Sequence, residues 1–267
     1  MAATAKTRLD LLVLERGIAP SRERARAYIL AGRILVNEQK LDKPGASVPA
    51  DAVLRLLGDE LRYVSRGGLK LEGALKEWGI DVTGRWGLDV GASTGGFTDC
   101  LLQHGAARVT AVDTGFGQIA MKLRNDERVR LVERTNARLL EPGALLDAEG
   151  AGPSILVMDV SFISATLVLP PVLAAAPTLT EAVVLVKPQF EAGREHVGHG
   201  GIVRDPKAHQ LAVERVAGCV RGLGWQVRGV VDSPITGAEG NREFLLCARR
   251  DGSDAILIDS PQEGHCR

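Results

Sequence analysis

The sequence predicts an α/β protein in which a doubly wound, mainly parallel sheet of seven strands follows a small N-terminal α+β unit. Three features predict it. Apolar runs near residues 86–90, 108–113, 129–133, 154–159, 182–187, 226–232 and 243–249 alternate with helical stretches, the order expected when crossover helices join parallel strands. The stretch Gly87 to Phe97 leads from a short apolar strand through a glycine-rich turn into a helix, so a ligand would sit above the strand tips at the helix N-terminus. Charge is unevenly divided: residues 1–70 carry 13 Lys and Arg against 8 Asp and Glu, a net of +5 in a chain that totals zero.

The front unit covers residues 1–60. Thr7 to Arg16 places Leu9, Leu12, Val13 and Leu14 on a short amphipathic helix that Gly17 stops. Ser21 caps a second helix reaching about Ala31, and Gly32 ends it. Arg33 to Asn37 reads as a strand, Lys40 to Val48 as a turn-rich connection, and Val53 to Leu57 as a further strand. Arg22, Arg24 and Arg26 could track a phosphate backbone or simply solvate a helix face. The series Arg8-Leu-Asp10, Gly17, Ser21-Arg22, Ala25, Ile29, Gly32, Val36-Asn37 and Lys43-Pro44 resembles the RNA-binding domain of ribosomal protein S4. Glu38 stands where that domain often has glycine, which predicts a hairpin of a different type.

Residues 61–64 read as a linker, residues 65–250 as the larger domain and residues 251–267 as a polar tail. A helix follows Ser65-Arg-Gly-Gly-Leu-Lys70 and runs through Trp78. The spacing Gly91-x-x-x-Gly95-Gly96 departs from Gly-x-Gly-x-x-Gly and disfavours a dinucleotide. A looser turn formed by Gly91, Ala92, Ser93, Thr94, Gly95 and Phe97 suits S-adenosylmethionine. Asp89 would favour its cationic end, and Asp113, closing the next strand, would hold its ribose. Val160 to Thr180 is uncharged, but Pro170, Pro171 and Pro177 mark it as a helix packed on the sheet rather than a membrane span. The loop with Pro234, Gly237 and Gly240 predicts that the last strand inserts antiparallel.

Chemistry is expected at the strand ends of such a sheet. Asp159 and Lys187 end two strands, Glu243 begins the last one, and Lys70 lies on the helix before the first. Together they resemble the Lys-Asp-Lys-Glu tetrad of ribose 2′-O-methyltransferases. On that resemblance Lys187 is the base, Asp159 orients it and favours the sulfonium, and Lys70 and Glu243 position the ribose. Val64-Ser-Arg-Gly67, Asp89 to Phe97, Arg124-Asn-Asp126, Glu133 to Arg138, Asp159 to Ser164 and Lys187-Pro-Gln-Phe-Glu191 extend the likeness over nearly the whole chain. The chain is similar to the TlyA family of RNA methyltransferases, whose members are often labelled hemolysins. The resemblance implies a Rossmann-like methyltransferase sheet, S-adenosylmethionine as cofactor, and 2′-O-methylation of cytidine in ribosomal RNA of the large subunit and, in some members, also the small. It also implies that Asn136 lies by the adenine, and that Arg134 and Arg138 extend an RNA surface that includes Arg8, Arg22, Arg24, Lys43 and Arg66. The carboxy-terminal glycines and proline favour the large subunit alone.

Cys100, Cys219, Cys247 and Cys266 form no Cys-x-x-Cys pair and, with no signal-peptide pattern at the front, indicate a cytoplasmic protein. His196-x-x-His199 lacks further ligands, so no metal is expected. The glycines of Phe190 to Asp205 suggest a mobile loop that closes over a target nucleotide. Two other functions stay open. Asp159-Val-Ser-Phe162 occupies the place of the Asp/Asn-Pro-Pro-aromatic motif of base methylases, and a hemolysin or ribosome-binding factor would need no tetrad.

Overall fold

The computed structural model describes residues 5–57, 62–237 and 240–250. Leu61, which heads the expected linker, and the expected tail with Cys266 lie outside the described residues. The front unit comprises β1 (Lys6–Arg8), α1 (Leu9–Glu15), α2 (Arg22–Leu30), β2 (Ile34–Val36), β3 (Gln39–Lys40), β4 (Ser47–Pro49) and β5 (Leu54–Leu56). Leu9, Leu12, Val13, Ala25, Ile29 and Ile34 close its own core. The first helix starts two residues later than its periodicity suggests, because Thr7 pairs with Val48 in an antiparallel β1–β4 ladder. The connection expected at Lys40 to Val48 thus contributes strand residues at both ends, pairings that local sequence does not signal.

Glu38 does not change the hairpin type. Val36 pairs with Gln39 around Asn37 (φ +50°) and Glu38 (φ +63°), the two left-handed residues of a type I′ turn. Arg55 grips the Glu38 carboxylate through Nε and Nη2, at 3.0 and 2.5 Å, offsetting part of the strain glycine would avoid.

The larger unit follows as α3 (Gly67–Trp78), β6 (Trp86–Val90), α4 (Gly96–Gln103), β7 (Arg108–Val112), α5 (Met121–Arg124), β8 (Val129–Val132), β9 (Ile155–Met158), α6 (Ala165–Ala175), β10 (Glu181–Val186), α7 (Pro188–Glu191), α8 (Pro206–Gly222), β11 (Gln226–Asp232) and β12 (Phe244–Arg249). The sheet order is β11-β12-β10-β9-β6-β7-β8, with β12 antiparallel to both neighbours. One crossover differs from the expected alternation: β8 reaches β9 through an irregular segment whose only regular element is a 3₁₀ turn at Ala137–Leu139.

The buried strands sort their side chains with period two. Leu156 and Met158 pack with Val168 and Val172 of α6 and Ala212 and Val216 of α8, whereas Ile155 and Val157 pack with Leu71 of α3 and Leu101 of α4. Helix α6 accommodates Pro170 and Pro171 internally. Proline 170 has no N–H for the Thr166 carbonyl, which instead accepts the Cys219 thiol of α8 at 3.7 Å. Strand order diverges from β6 towards β7 on one side and β9 on the other, so the crevice above β6 and β9 is where a ligand is expected.

Candidate active site

That crevice is a cleft of about 940 Å³ between the carboxyl ends of the strands and helix α2 of the front unit. Lys70, Gly91, Ala92, Ser93, Thr94, Phe97, Asp159 and Lys187 line one wall, with Arg66 beside them. Arg24, Arg26, Ala27 and Leu30 line the other.

Two glycines explain the turn. Gly91 (φ +86°) lets the β6 tip approach the β9 tip so closely that an added Cβ would lie 2.4 Å from the Asp159 carbonyl oxygen. Gly95 (φ +94°) occupies the left-handed position that opens α4. Asp89 is fully buried and does not line the cleft; its Oδ2 accepts from the Thr98 amide (2.9 Å) and hydroxyl (2.7 Å), so it clasps strand to helix. Its Oδ1 has no hydrogen-bond partner. Burial, only partly opposed by the Thr98 bonds, and the nearby charges of Asp159 and Asp113 push this carboxyl up to about 7.

Asp113 accepts from the Ser93 amide (2.8 Å) and the Gly115 amide (2.6 Å), tying the glycine turn to the end of β7. With Ala92, Ser93, Gly115, Gln118, Ile119, Leu131 and Glu133 it lines a small adjoining recess. Asn136 is exposed and lines neither space; its side chain caps the 3₁₀ turn by accepting from the Arg138 amide at 3.1 Å.

The four charged residues near the strand ends form two pairs, Lys70–Glu243 buried and Lys187–Asp159 with a half-buried carboxylate. Lys70 Nζ lies 2.5 Å from Glu243 Oε2, and Lys187 Nζ lies 2.6 Å from Asp159 Oδ1. Both lysine side chains are only 10% exposed yet border the cleft, whereas Glu243 is enclosed behind Lys70. A paired lysine at a cavity wall keeps donor or acceptor capacity for a ligand, which is what general acid–base work needs.

The arginines expected to meet RNA divide into different situations. Arg8 and Arg22 both bind the buried Asp10, with Nε contacts of 2.9 and 3.0 Å, and the Arg8 hydrogen bond leads in holding that carboxyl below its usual range. These two arginines therefore support the front unit with half of each side chain exposed. Arg24 Nη1 donates to the Tyr63 carbonyl at 2.8 Å, joining α2 to the segment before α3. Lys43 and Arg138 are exposed, and Arg134 (φ +53°) stacks on Phe116 at 4.1 Å.

Sequence reasoning missed the cleft wall formed by Gly117 to Lys122, and it missed Ser161, which receives a hydrogen bond from Lys187 Nζ at 2.7 Å. No local signal marks the former; the latter stands two residues beyond Asp159. The glycine-rich loop before α8, expected to be mobile, is stapled at its end. Asn241 accepts from the Val203 amide (3.0 Å) and donates to the Gly201 carbonyl (2.9 Å), and the His209 ring meets the Val203 carbonyl at 2.9 Å. Among the described residues no three of His, Cys, Asp or Glu gather in a metal-binding arrangement.

Residues 63–250 match the FtsJ-like methyltransferase family and residues 7–54 match the S4 domain. The Bacillus subtilis protein YqxC is 50% identical over 258 residues, 97% of this chain and 91% of its own length. The 16S/23S rRNA (cytidine-2′-O)-methyltransferase TlyA of Mycobacterium tuberculosis is 44% identical over 252 residues, 94% of this chain and 92% of its own. A solved structure from Streptococcus thermophilus that carries the name hemolysin is 44% identical, with a TM-score of 0.71 over 94% of this chain and 90% of that one.

Proposed function

The chain belongs to the TlyA family of FtsJ-like methyltransferases, and from that premise we propose that it methylates the ribose 2′-hydroxyl of a cytidine in ribosomal RNA of the large subunit. The observation that carries this reading is the pair of lysine–carboxylate contacts beside the glycine turn in one cleft. Relatives named as cytidine-2′-O-methyltransferases of 16S/23S or 23S rRNA support it, and we place its action in the cytoplasm with ribosomal subunits as partners. No helix among the described residues is long and apolar enough to cross a membrane.

The cofactor is S-adenosylmethionine, and the residues present fit it. The unpartnered Asp89 oxygen lies beneath the turn, Asp159 borders the cleft, and both favour a cationic ligand. Gly91 and its neighbours would receive the cofactor, and Asp113 would meet its ribose from the adjoining recess. When bound, the cofactor supplies a methyl group on a sulfonium that is its own leaving group.

Lys187 takes the proton from the target 2′-oxygen as that oxygen attacks, so its nitrogen must present a lone pair to the ribose. Asp159 holds the amine in place and favours the protonated product of that step. Lys70, braced by Glu243, donates to the ribose and fixes its orientation, which supplies much of the rate through alignment. Residues 1–60, 65–250 and the linker 61–64 between them divide the work, the first gripping RNA and the second carrying the chemistry. Arg24 and Arg66 border the cleft and are the phosphate contacts closest to the reaction.

The test is transfer of a labelled methyl group to separately purified, unmodified large and small subunits, followed by mapping of the labelled nucleotide. Label on a cytidine 2′-oxygen of the large subunit is the expected result. Label on a base would overturn the reading, and so would the absence of label from ribosomal RNA.

A further inference from the structure

Resting on the reading of Lys187 as the base, we propose that Ser161 is a positioning residue that aims it. The Lys187 nitrogen has three vertices beyond its Cε bond. Ser161 Oγ accepts a hydrogen bond along one of them at 2.7 Å, while Asp159 Oδ1 lies 2.6 Å from the nitrogen as an ion-pair contact off the hydrogen-bond direction. A neutral amine with one N–H bond fixed on the serine and a carboxylate oxygen against its nitrogen turns its lone pair away from both oxygens, to the remaining vertex. Lys187, Asp159 and Ser161 all border the cleft, so that vertex is the one available to a ribose hydroxyl. Without the serine the amine would turn about its Cε–Nζ bond and share its lone pair with water.

The fold brings the serine to the lysine through strand register. In the parallel β9–β10 ladder Met158 is opposite Val184. Ser161 lies three residues beyond the first and Lys187 three beyond the second, so the two emerge level with each other.

The segments they stand on are joined at two further places. Phe162 and Phe190 meet with ring centroids 5.5 Å apart. Glu191, only 2% exposed, accepts from the Ser164 hydroxyl at 2.5 Å and the Ala165 amide at 2.7 Å. These clasps hold the Val160 to Ser164 turn, including Phe162 in its left-handed conformation (φ +64°), against the residues that follow Lys187. An exposed serine on a turn fixed at both ends can hold one geometry through a catalytic cycle. A proline at position 161, as in the amino-group methylase motif, would offer the lysine no oxygen on its side chain.

The experiment compares wild type with S161A, S161T and K187A in single-turnover methyl transfer to purified unmodified large subunits, with cofactor affinity measured by calorimetry. The expected S161A result is a rate at saturating RNA and cofactor reduced about tenfold to a hundredfold, the scale of misplacing a catalytic group by about an ångström. Its KM for RNA and its cofactor affinity stay at wild-type values. S161T, which keeps the hydroxyl, returns the rate to within about threefold of wild type. The proposal is overturned if S161A turns over at the wild-type rate while K187A is inactive. It is also overturned if S161A and S161T lose rate and cofactor affinity together, which would make the residue a structural part of the turn. Full activity of K187A would remove the base assignment itself, and that outcome is distinguishable from the first two.

Discussion

The two ends of one sheet carry buried ionic clusters of opposite design. At the carboxyl end each lysine meets one carboxylate and borders a cleft, as in Lys70–Glu243 and Lys187–Asp159. At the amino end a single carboxylate, Glu181 on the first residue of β10, is surrounded by Arg85 (2.7 Å), Arg249 (3.1 Å) and Arg228 (3.4 Å). Arg85 also donates to the Ser154 hydroxyl and carbonyl, which ties the starts of β6, β9 and β10 together with the end of β12. Guanidinium groups are planar and always charged, and three of them converge on the one carboxylate, so the amino-end cluster serves as a staple. Lysine is a point charge whose amine can lose a proton, and a single carboxylate leaves it capacity for a hydroxyl. Burial of charge by itself therefore does not mark the reactive end; incomplete pairing at a cavity wall does.

Four measurements test this contrast. The largest effect is expected for K187A, which lowers methyl transfer at least about a hundredfold while leaving cofactor binding near wild type in calorimetry. Retained activity would erase the functional difference between the two ends. Second, E181A leaves three arginines without their carboxylate and costs about 3 kcal/mol of stability, read by urea unfolding, with methyl transfer preserved below the unfolding transition. A large loss of activity with unchanged stability would show that the amino end also takes part in chemistry.

The third concerns Asp89, the carboxyl that burial raises to about 7. Because its folded value exceeds its ordinary one, the stability it contributes is present below about pH 4 and is lost as pH rises through about 7. A cationic ligand favours the ionised form, so cofactor affinity should climb with pH up to about 7, by at most about tenfold per unit, and then level. D89N should flatten that climb, and a wild-type affinity independent of pH would separate Asp89 from the cofactor's charge. The smallest effect separates the arginines. R66A should lower the salt slope of RNA binding by about one, whereas R8A should leave the slope nearer wild type and appear as weakened thermal stability of the front unit, since Arg8 holds Asp10. Equal salt slopes for the two variants would mean that engagement with Asp10 does not remove an arginine from the RNA surface.

Much of the fold was readable from local pattern. Apolar runs gave the seven strands of the sheet to within a residue at each end, and the Pro234 to Gly240 loop pointed to the antiparallel insertion of β12. What escaped was pairing between distant short segments. Lys6–Arg8 is extended because Ser47–Pro49 is beside it, and nothing in Lys-Thr-Arg favours a strand over the start of a helix. The Asn37-Glu38 turn escaped for a similar reason, since the support for a left-handed glutamate comes from Arg55 on another strand. In the site, Asp159 and Lys187 stood out as charges closing apolar runs, while Ser161 did not, because a serine after a strand has many ordinary uses.

The chemistry available was written in local sequence: a strand–glycine turn–helix unit, charges at the strand ends and an arginine-rich front unit, all patterns that propensity and periodicity impose. Which charges engage one another was left to long-range contacts. Arg8 and Arg22 are engaged by Asp10, three arginines enclose Glu181, and Lys70 and Lys187 are each held by one carboxylate at the wall of a cleft. The physical reason is that an ionic group's reactivity depends on its partners and its access to a cavity. Those are set by contacts across as many as 173 residues of chain, from Lys70 to Glu243, which no local window of sequence contains.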